Sequence, residues 1–234
     1  MTIKERLASV AWDRVSAELD ERGWATTGQL LIPAEREALT AAYKQDSLFR
    51  STVVMARHGF GRGEYRYFAY PLAEIIGALR QELYVRLLPV ANDWRGRLGQ
   101  GDPFPAQYED YLEQCHSAGQ RRPTPLLLQY GPGDYNCLHQ DLYGDLSFPL
   151  QAAFLLSDPD AFDGGEFDLT EQRPRMQSRV QVVPLKAGEA AIFAVNHRPV
   201  RGSRGTYRVT MRHGVSPVRA GSRHTLGIIL HDAA

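Results

Sequence analysis

Only two of the 234 residues are cysteine, Cys115 and Cys137, and they form no Cys-x-x-Cys pair. That excludes a disulfide-stapled scaffold and a structural zinc knuckle. No apolar run approaches the ~20 residues of a membrane-spanning helix. The opening Met1-Thr2-Ile3-Lys4-Glu5-Arg6 lacks the apolar segment of a signal peptide, so no membrane association and a cytoplasmic location are expected. Net charge is absent as well: 27 basic side chains balance 27 acidic ones, which argues against a dedicated polyanion-binding protein. One local absence stands apart. Residues 190–231 contain no Asp or Glu, while Arg198, Arg201, Arg204, Arg208, Arg212, Arg219 and Arg223 crowd the same stretch. Either these arginines pair with acids from earlier in the chain, or they favour an anionic ligand.

With 43% hydrophobic and 10% aromatic residues, the composition is that of an ordinary globular protein. The length lies within what one hydrophobic core supports, so a single domain over residues 1–234 is expected. Residues 1–124 read as helix-rich. Trp12, Val15 and Leu19 recur at helical spacing before Gly23, and Pro33 opens a helix carrying Leu39, Ala42 and Tyr43. Residues 24–32 between them suit a short strand. Leu72, Ile75, Ile76, Leu79, Leu83, Leu87 and Leu88 form an amphipathic stripe, and residues 105–115 a shorter helix. The loop Arg57-His58-Gly59-Phe60-Gly61-Arg62-Gly63-Glu64 precedes Tyr65, Tyr67, Phe68 and Tyr70; it suits a lid over a ligand or a hairpin turn. From Pro125 the character changes to short strands punctuated by glycine and proline. Segments 126–130, 150–156, 165–169, 178–183, 190–195, 207–212 and 225–230 are spaced as in a β-sandwich or barrel.

The most informative stretch runs through Tyr130-Gly131-Pro132-Gly133-Asp134-Tyr135-Asn136-Cys137-Leu138-His139-Gln140-Asp141. His139 and Asp141, two apart in an extended segment, point to the same side and can fill adjacent positions around a small cation. A third ligand is needed, and His213 supplies it, with His197 as its rival. Two imidazoles and one carboxylate on one triangular face leave positions open, as in a non-heme Fe(II) oxygenase. The same set suits Zn2+. Arg223, ten residues past His213, could hold a carboxylate bidentately near the metal.

These residues resemble the Fe(II)/2-oxoglutarate-dependent dioxygenases, specifically the prolyl-4-hydroxylase-like branch. The likeness rests on His139-x-Asp141, on His213 in a His-x-Val-x-Pro-Val-x-x-Gly-x-Arg pattern ending at Arg223, and on Gly164-Gly165-Glu166-Phe167. It covers residues 125–232. Over the full length, including Val54-Met55-Ala56-Arg57-His58-Gly59-Phe60-Gly61 and Asp141-Leu142-Tyr143-Gly144, the chain further resembles a bacterial oxygenase family proposed to act in oxidative demethylation of damaged DNA. The resemblance implies a mainly β protein with N-terminal helices: a double-stranded β-helix (a cupin-like jelly roll) over 125–234, buttressed by a helix-rich segment and lid over 1–124. It implies Fe(II) on His139, Asp141 and His213, O2, and 2-oxoglutarate as co-substrate on Arg223 and Tyr130. Only His213, not His197, has an arginine and an apolar strand at the spacing the resemblance requires.

The reaction implied is decarboxylation of 2-oxoglutarate coupled to hydroxylation or oxidative demethylation. Asp141 stands where halogenating relatives carry a small residue, which favours hydroxylation. Gln140, Tyr135, Asn136 and Arg208 are candidates for supporting the site. The substrate class stays open among a small molecule, a peptide and a nucleic-acid base. The alternative readings are a jelly-roll metalloenzyme using Zn2+ or Mn2+ for isomerisation or hydrolysis, and a non-catalytic cupin-like binding module.

Overall fold

A computed structural model describes residues 1–203 and 205–234; Arg204, one of the seven clustered arginines, lies outside the described residues. The N-terminal segment opens with α1 (Ile3–Ala8), closed by a capping box between Thr2 and Glu5. Next come α2 (Trp12–Arg22), β1 (Trp24–Gln29), and α3 (Pro33–Ala42) with proline in its first turn. Strands β2 (Phe49–Val54), β3 (Gly61–Arg62) and β4 (Glu64–Phe68) precede the long α4 (Glu74–Leu98) and α5 (Tyr108–Ser117). The stripe that predicts α4 is buried at Ile76, Leu79, Leu83 and Leu87, and the buried face continues through Val90, Ala91 and Trp94. The helix therefore runs straight past Pro89, where periodicity alone stops.

The second half is β5 (Leu126–Tyr130), β6 (Tyr135–His139), β7 (Leu150–Leu155), β8 (Phe162–Gly164), β9 (Phe167–Gln172), β10 (Arg179–Val183), β11 (Glu189–Ala194), β12 (His197–Gly202), β13 (Gly205–Val215), β14 (Val218–Gly221) and β15 (Arg223–Ile228). One antiparallel sheet has the order β1-β11-β7-β15-β5-β4-β2, and a second has β10-β9-β13-β6-β3 with β12 beside β13. β11, β7, β15 and β5 face β10, β9, β13 and β6, which is the double-stranded β-helix. N-terminal strands β1, β2 and β4 extend the first sheet at both edges.

The first sheet is covered on both faces, which explains its unbroken apolar runs; every residue of β11 is buried. Leu127, Phe154, Ile192 and Leu226 pack with the helical residues Leu79, Leu83 and Leu87. Their neighbours Tyr130, Ala191 and Phe193 turn the other way and meet Phe167, Leu169 and Val215 of the second sheet. Functional side chains can therefore emerge only in the space between the sheets.

Two features differ from the sequence reading and a third adds to it. The strand expected at 165–169 begins at Phe167, because Gly164 and Gly165 adopt φ of +75° and +63°. The twenty-residue step from Phe193 to His213 holds an extra hairpin, β12–β13. The glycine-rich loop closes the antiparallel hairpin of β2 and β4, with Val54 opposite Glu64, as one of its two expected readings has it; the addition is β3, which pairs with β6.

The C-terminus is fastened by a buried polar cluster. Arg80 on α4 donates to Asp232 at 2.6 Å, with the two side chains 1% and 0% exposed, and Tyr70 and His116 also bond the carboxylate. Removing one partner of such a pair strands the other charge, at a cost of about 3–5 kcal/mol. Urea unfolding is expected to show a loss of that order for Asp232→Ala, with most of it recovered when Arg80→Met is added.

Candidate metal centre

Strands β6 and β13 are neighbours, and their register sets His139 directly opposite His213. The imidazole centroids are 4.1 Å apart. Asp141, just past the end of β6, reaches both rings: Oδ2 lies 3.2 Å from His213 Nε2 and Oδ1 3.5 Å from His139 Nε2. One donor atom from each of the three residues lies within 4.8 Å of the others. His197 is elsewhere, on β12 opposite Thr210; burial and the charge of Arg208 lower its pKa.

The surrounding hydrogen bonds orient all three side chains. His139 Nδ1 donates to the Cys137 carbonyl at 2.8 Å, which directs Nε2 at Asp141. Gln151 of β7 donates to Asp141 Oδ2 at 2.7 Å, and the Tyr143 hydroxyl donates to Oδ1 at 2.6 Å while accepting from Tyr67 at 2.9 Å. Burial alone would raise the Asp141 pKa. The hydrogen bonds and charges of His139 and His213 outweigh it and hold this carboxyl well below the usual range. Burial, then the neighbouring His139, pushes the His213 pKa down. Burial would lower the His139 pKa, but the hydrogen bond and charge of Asp141 raise it; a divalent metal held by the three side chains would take the place of that proton.

Beside the triad lies a cavity of about 290 Å³ walled by Leu128, Phe167, Phe193 and Tyr65. At its inner end stands Arg223, first residue of β15 and register partner of Tyr130. This guanidinium is 2% exposed. It donates to the Thr225 hydroxyl at 3.0 Å, forms no ion pair among the described residues, and its Nε has no partner. Burial lowers its pKa. The neighbouring Tyr130 hydroxyl is likewise buried without a partner, and burial pushes its pKa up to about 12. Two orphaned donors facing one cavity, one of them cationic, are costly unless an anion joins them.

Gly165 makes this placement possible. A Cβ on it would stand 2.9 Å from Arg223 Cδ and 2.8 Å from Val218 Cγ2, so the Gly164-Gly165 element is a cradle for the arginine.

Of the other sequence candidates, Asn136 lines the cavity. Gln140 turns to Asn196 and the Met211 carbonyl at 2.7 and 2.8 Å, bracing β13 next to His213. Tyr135 and Arg208 are exposed, Arg208 on the face of β13 opposite His213. The arginine-rich segment divides: Arg198 pairs with buried Glu171 and Arg219 with Asp163, whereas Arg201, Arg208 and Arg212 are exposed. Gln151, Tyr143, Tyr67 and Thr225 were not singled out as site residues in the sequence. Gln151 is the one polar side chain in the apolar run of β7, a signal that could have marked it.

Substituting Gly165 by Ala is expected to displace Arg223 and weaken binding of a dicarboxylate by about tenfold or more, with little change in metal affinity. Isothermal titration with 2-oxoglutarate and with Mn2+ separates the two effects.

Comparison with known proteins gives consistent results. Residues 63–233 match the family model Oxygenase-NA, described as an oxygenase catalysing oxidative methylation of damaged DNA. Two Mycobacterium tuberculosis proteins, from strains CDC 1551 and H37Rv, are each 50% identical over 168 residues, 71% of this chain and 72% of theirs. Among solved structures, a 2OG-Fe(II) oxygenase family oxidoreductase from Burkholderia pseudomallei superposes with TM-score 0.57 at 16% identity, covering 97% of this chain and 94% of that one. A Trichoplax adhaerens prolyl hydroxylase, in complex with a hypoxia inducible factor peptide fragment, gives 0.57 at 15% identity over 95% and 89%. The likeness to these structures is one of fold. No helix among the described residues is long and apolar enough to cross a membrane.

Proposed function

The chain belongs to the Oxygenase-NA family, and from that premise we propose that it is a cytoplasmic Fe(II)/2-oxoglutarate-dependent dioxygenase. In this reading residues 125–234 supply the catalytic core and residues 1–124 its buttress within one domain. The observation that carries the proposal is Arg223, a buried guanidinium without a carboxylate partner, beside the orphaned Tyr130 hydroxyl and in the same cavity as a His-Asp-His cluster. In a Zn2+ or Mn2+ isomerase or hydrolase Arg223 would hold a substrate carboxylate; a dicarboxylate co-substrate uses Arg223 and the Tyr130 hydroxyl together.

His139, Asp141 and His213 would hold the iron, and two nitrogens with one oxygen are the donor set for Fe(II) that must keep positions open. Iron held there would supply dioxygen activation, with conversion of 2-oxoglutarate to succinate and CO2 as the source of the electrons, one oxygen atom going to the substrate C–H bond and the other to succinate. Arg223 holds the far carboxylate of the co-substrate by charge-assisted hydrogen bonds, with Tyr130 donating to it and Thr225 fixing the guanidinium. Gln151 and Tyr143 each bond one oxygen of Asp141, which keeps that side chain from rotating away when co-substrate enters. The apolar walls exclude water from the reacting centre. Hydroxylation of an N-methyl group on a damaged base gives a hemiaminal that releases formaldehyde. An alkylated nucleic-acid base is the substrate class we favour, on the family description.

Anaerobic addition of Fe(II) and 2-oxoglutarate is expected to produce the weak visible charge-transfer band of the chelate, near the green. His213→Ala should lose it and His197→Ala keep it. Arg223→Leu should retain the band but need at least about 30-fold more 2-oxoglutarate, as for loss of a buried charge pair. No band in the unaltered protein, or unchanged 2-oxoglutarate affinity in Arg223→Leu, would refute the assignment.

A further inference from the structure

The cavity opens to solvent where its lining becomes exposed, at Phe60 and Leu138, 48% and 49% accessible. At this mouth the rings of His58 and Phe60 stack on each other, centroids 5.3 Å apart and 24° from parallel. Both residues are exposed, beside a cavity with apolar walls.

The segment carrying them is anchored. The Phe60 carbonyl accepts from the Cys137 N–H at 2.9 Å, and the Phe60 and His58 N–H groups both donate to the Met55 carbonyl. Gly61 lies so close to β6 that a Cβ would stand 2.4 Å from the Tyr135 carbonyl. The Cys137 carbonyl in turn accepts from His139. A single residue, Cys137, therefore ties the aromatic pair to a proposed metal ligand and fixes its distance from the reacting centre. Arg57 and Arg62 flank the pair; both are exposed, and Arg62 has one loose contact, 3.5 Å to Asp134.

Resting on the reading of the site as a dioxygenase, we infer that His58 and Phe60 form a stacking platform for a planar nucleobase of single-stranded nucleic acid, with Arg57 and Arg62 facing the adjoining phosphates. Every base offers a π-face, and stacking on an aromatic side chain holds it without reading its edge. Such a platform suits an enzyme that must accept bases whose edges are altered.

The test uses a short single-stranded oligonucleotide carrying one 2-aminopurine, whose fluorescence falls on stacking, titrated into the full-length protein without oxygen. Fluorescence is expected to fall with the unaltered protein and with Phe60→Tyr. With Phe60→Ala it should stay high, and anisotropy should show about tenfold weaker binding. Equal quenching and affinity in Phe60→Ala would overturn the platform. So would absence of oligonucleotide binding by unaltered protein that forms the iron–2-oxoglutarate band, since the mouth then receives a peptide or a small molecule. Absence of the band itself, read before any oligonucleotide is added, identifies failure of the underlying dioxygenase reading instead.

Discussion

The register between β6 and β13 is the constraint on which the rest depends. Side chains alternate across a strand, so a slip of one residue would turn His213 to the outer surface and bring Arg212 or Gly214 inward. The pairing that sets His139 opposite His213 is held from both sides: β9 pairs with β13 along six residues, and β3 with the far edge of β6. Asp141 needs no pairing of its own, because it follows His139 by two residues and is caught by Gln151 and Tyr143. Bringing His213 to His139 and Asp141 thus needs one correct strand alignment and one short local step.

Arg223 represents the opposite kind of design. Its side chain is placed where the folded protein gains least from it: buried, bonded only to Thr225, and without a counter-ion. The fold tolerates this because Gly165 leaves room for the side chain and because β15 lies in the middle of the first sheet. An anion bound in the cavity would supply the missing partner, as the proposed function requires. The cluster Arg80–Asp232 shows the contrasting arrangement, a buried charge pair closed within the protein, and it fastens the chain directly after the strand that carries Arg223.

Patterns that obey a local period were legible in the sequence. The helices at Trp12–Arg22 and Pro33–Ala42 and the central strands follow apolar spacing, and their burial agrees. His139, Asp141, His213 and Arg223 were legible as a spaced set, and the structure brings them to one cavity. What escaped depends on tertiary context. β6 carries exposed side chains at three of its five positions, so no apolar alternation marks it as a strand, although it carries His139. β12 is hidden in the arginine-rich segment, where Arg198 is buried against Glu171 from a distant strand. Tyr67 and Tyr143, 76 residues apart, support Asp141 through a contact that no local spacing announces. At Arg57–Glu64 the hairpin between β2 and β4 was legible from glycine and the flanking strand residues, whereas the pairing of β3 with β6, more than seventy residues later, has no local signal.

A crystal structure of the protein grown without oxygen, with Mn2+ in place of Fe2+ and with 2-oxoglutarate, tests the central claim most directly. One metal ion bound by His139, Asp141 and His213, with the far carboxylate of 2-oxoglutarate on the Arg223 guanidinium, is the predicted result. A metal bound through His197 or elsewhere, or a co-substrate carboxylate that leaves Arg223 without a partner, would contradict it.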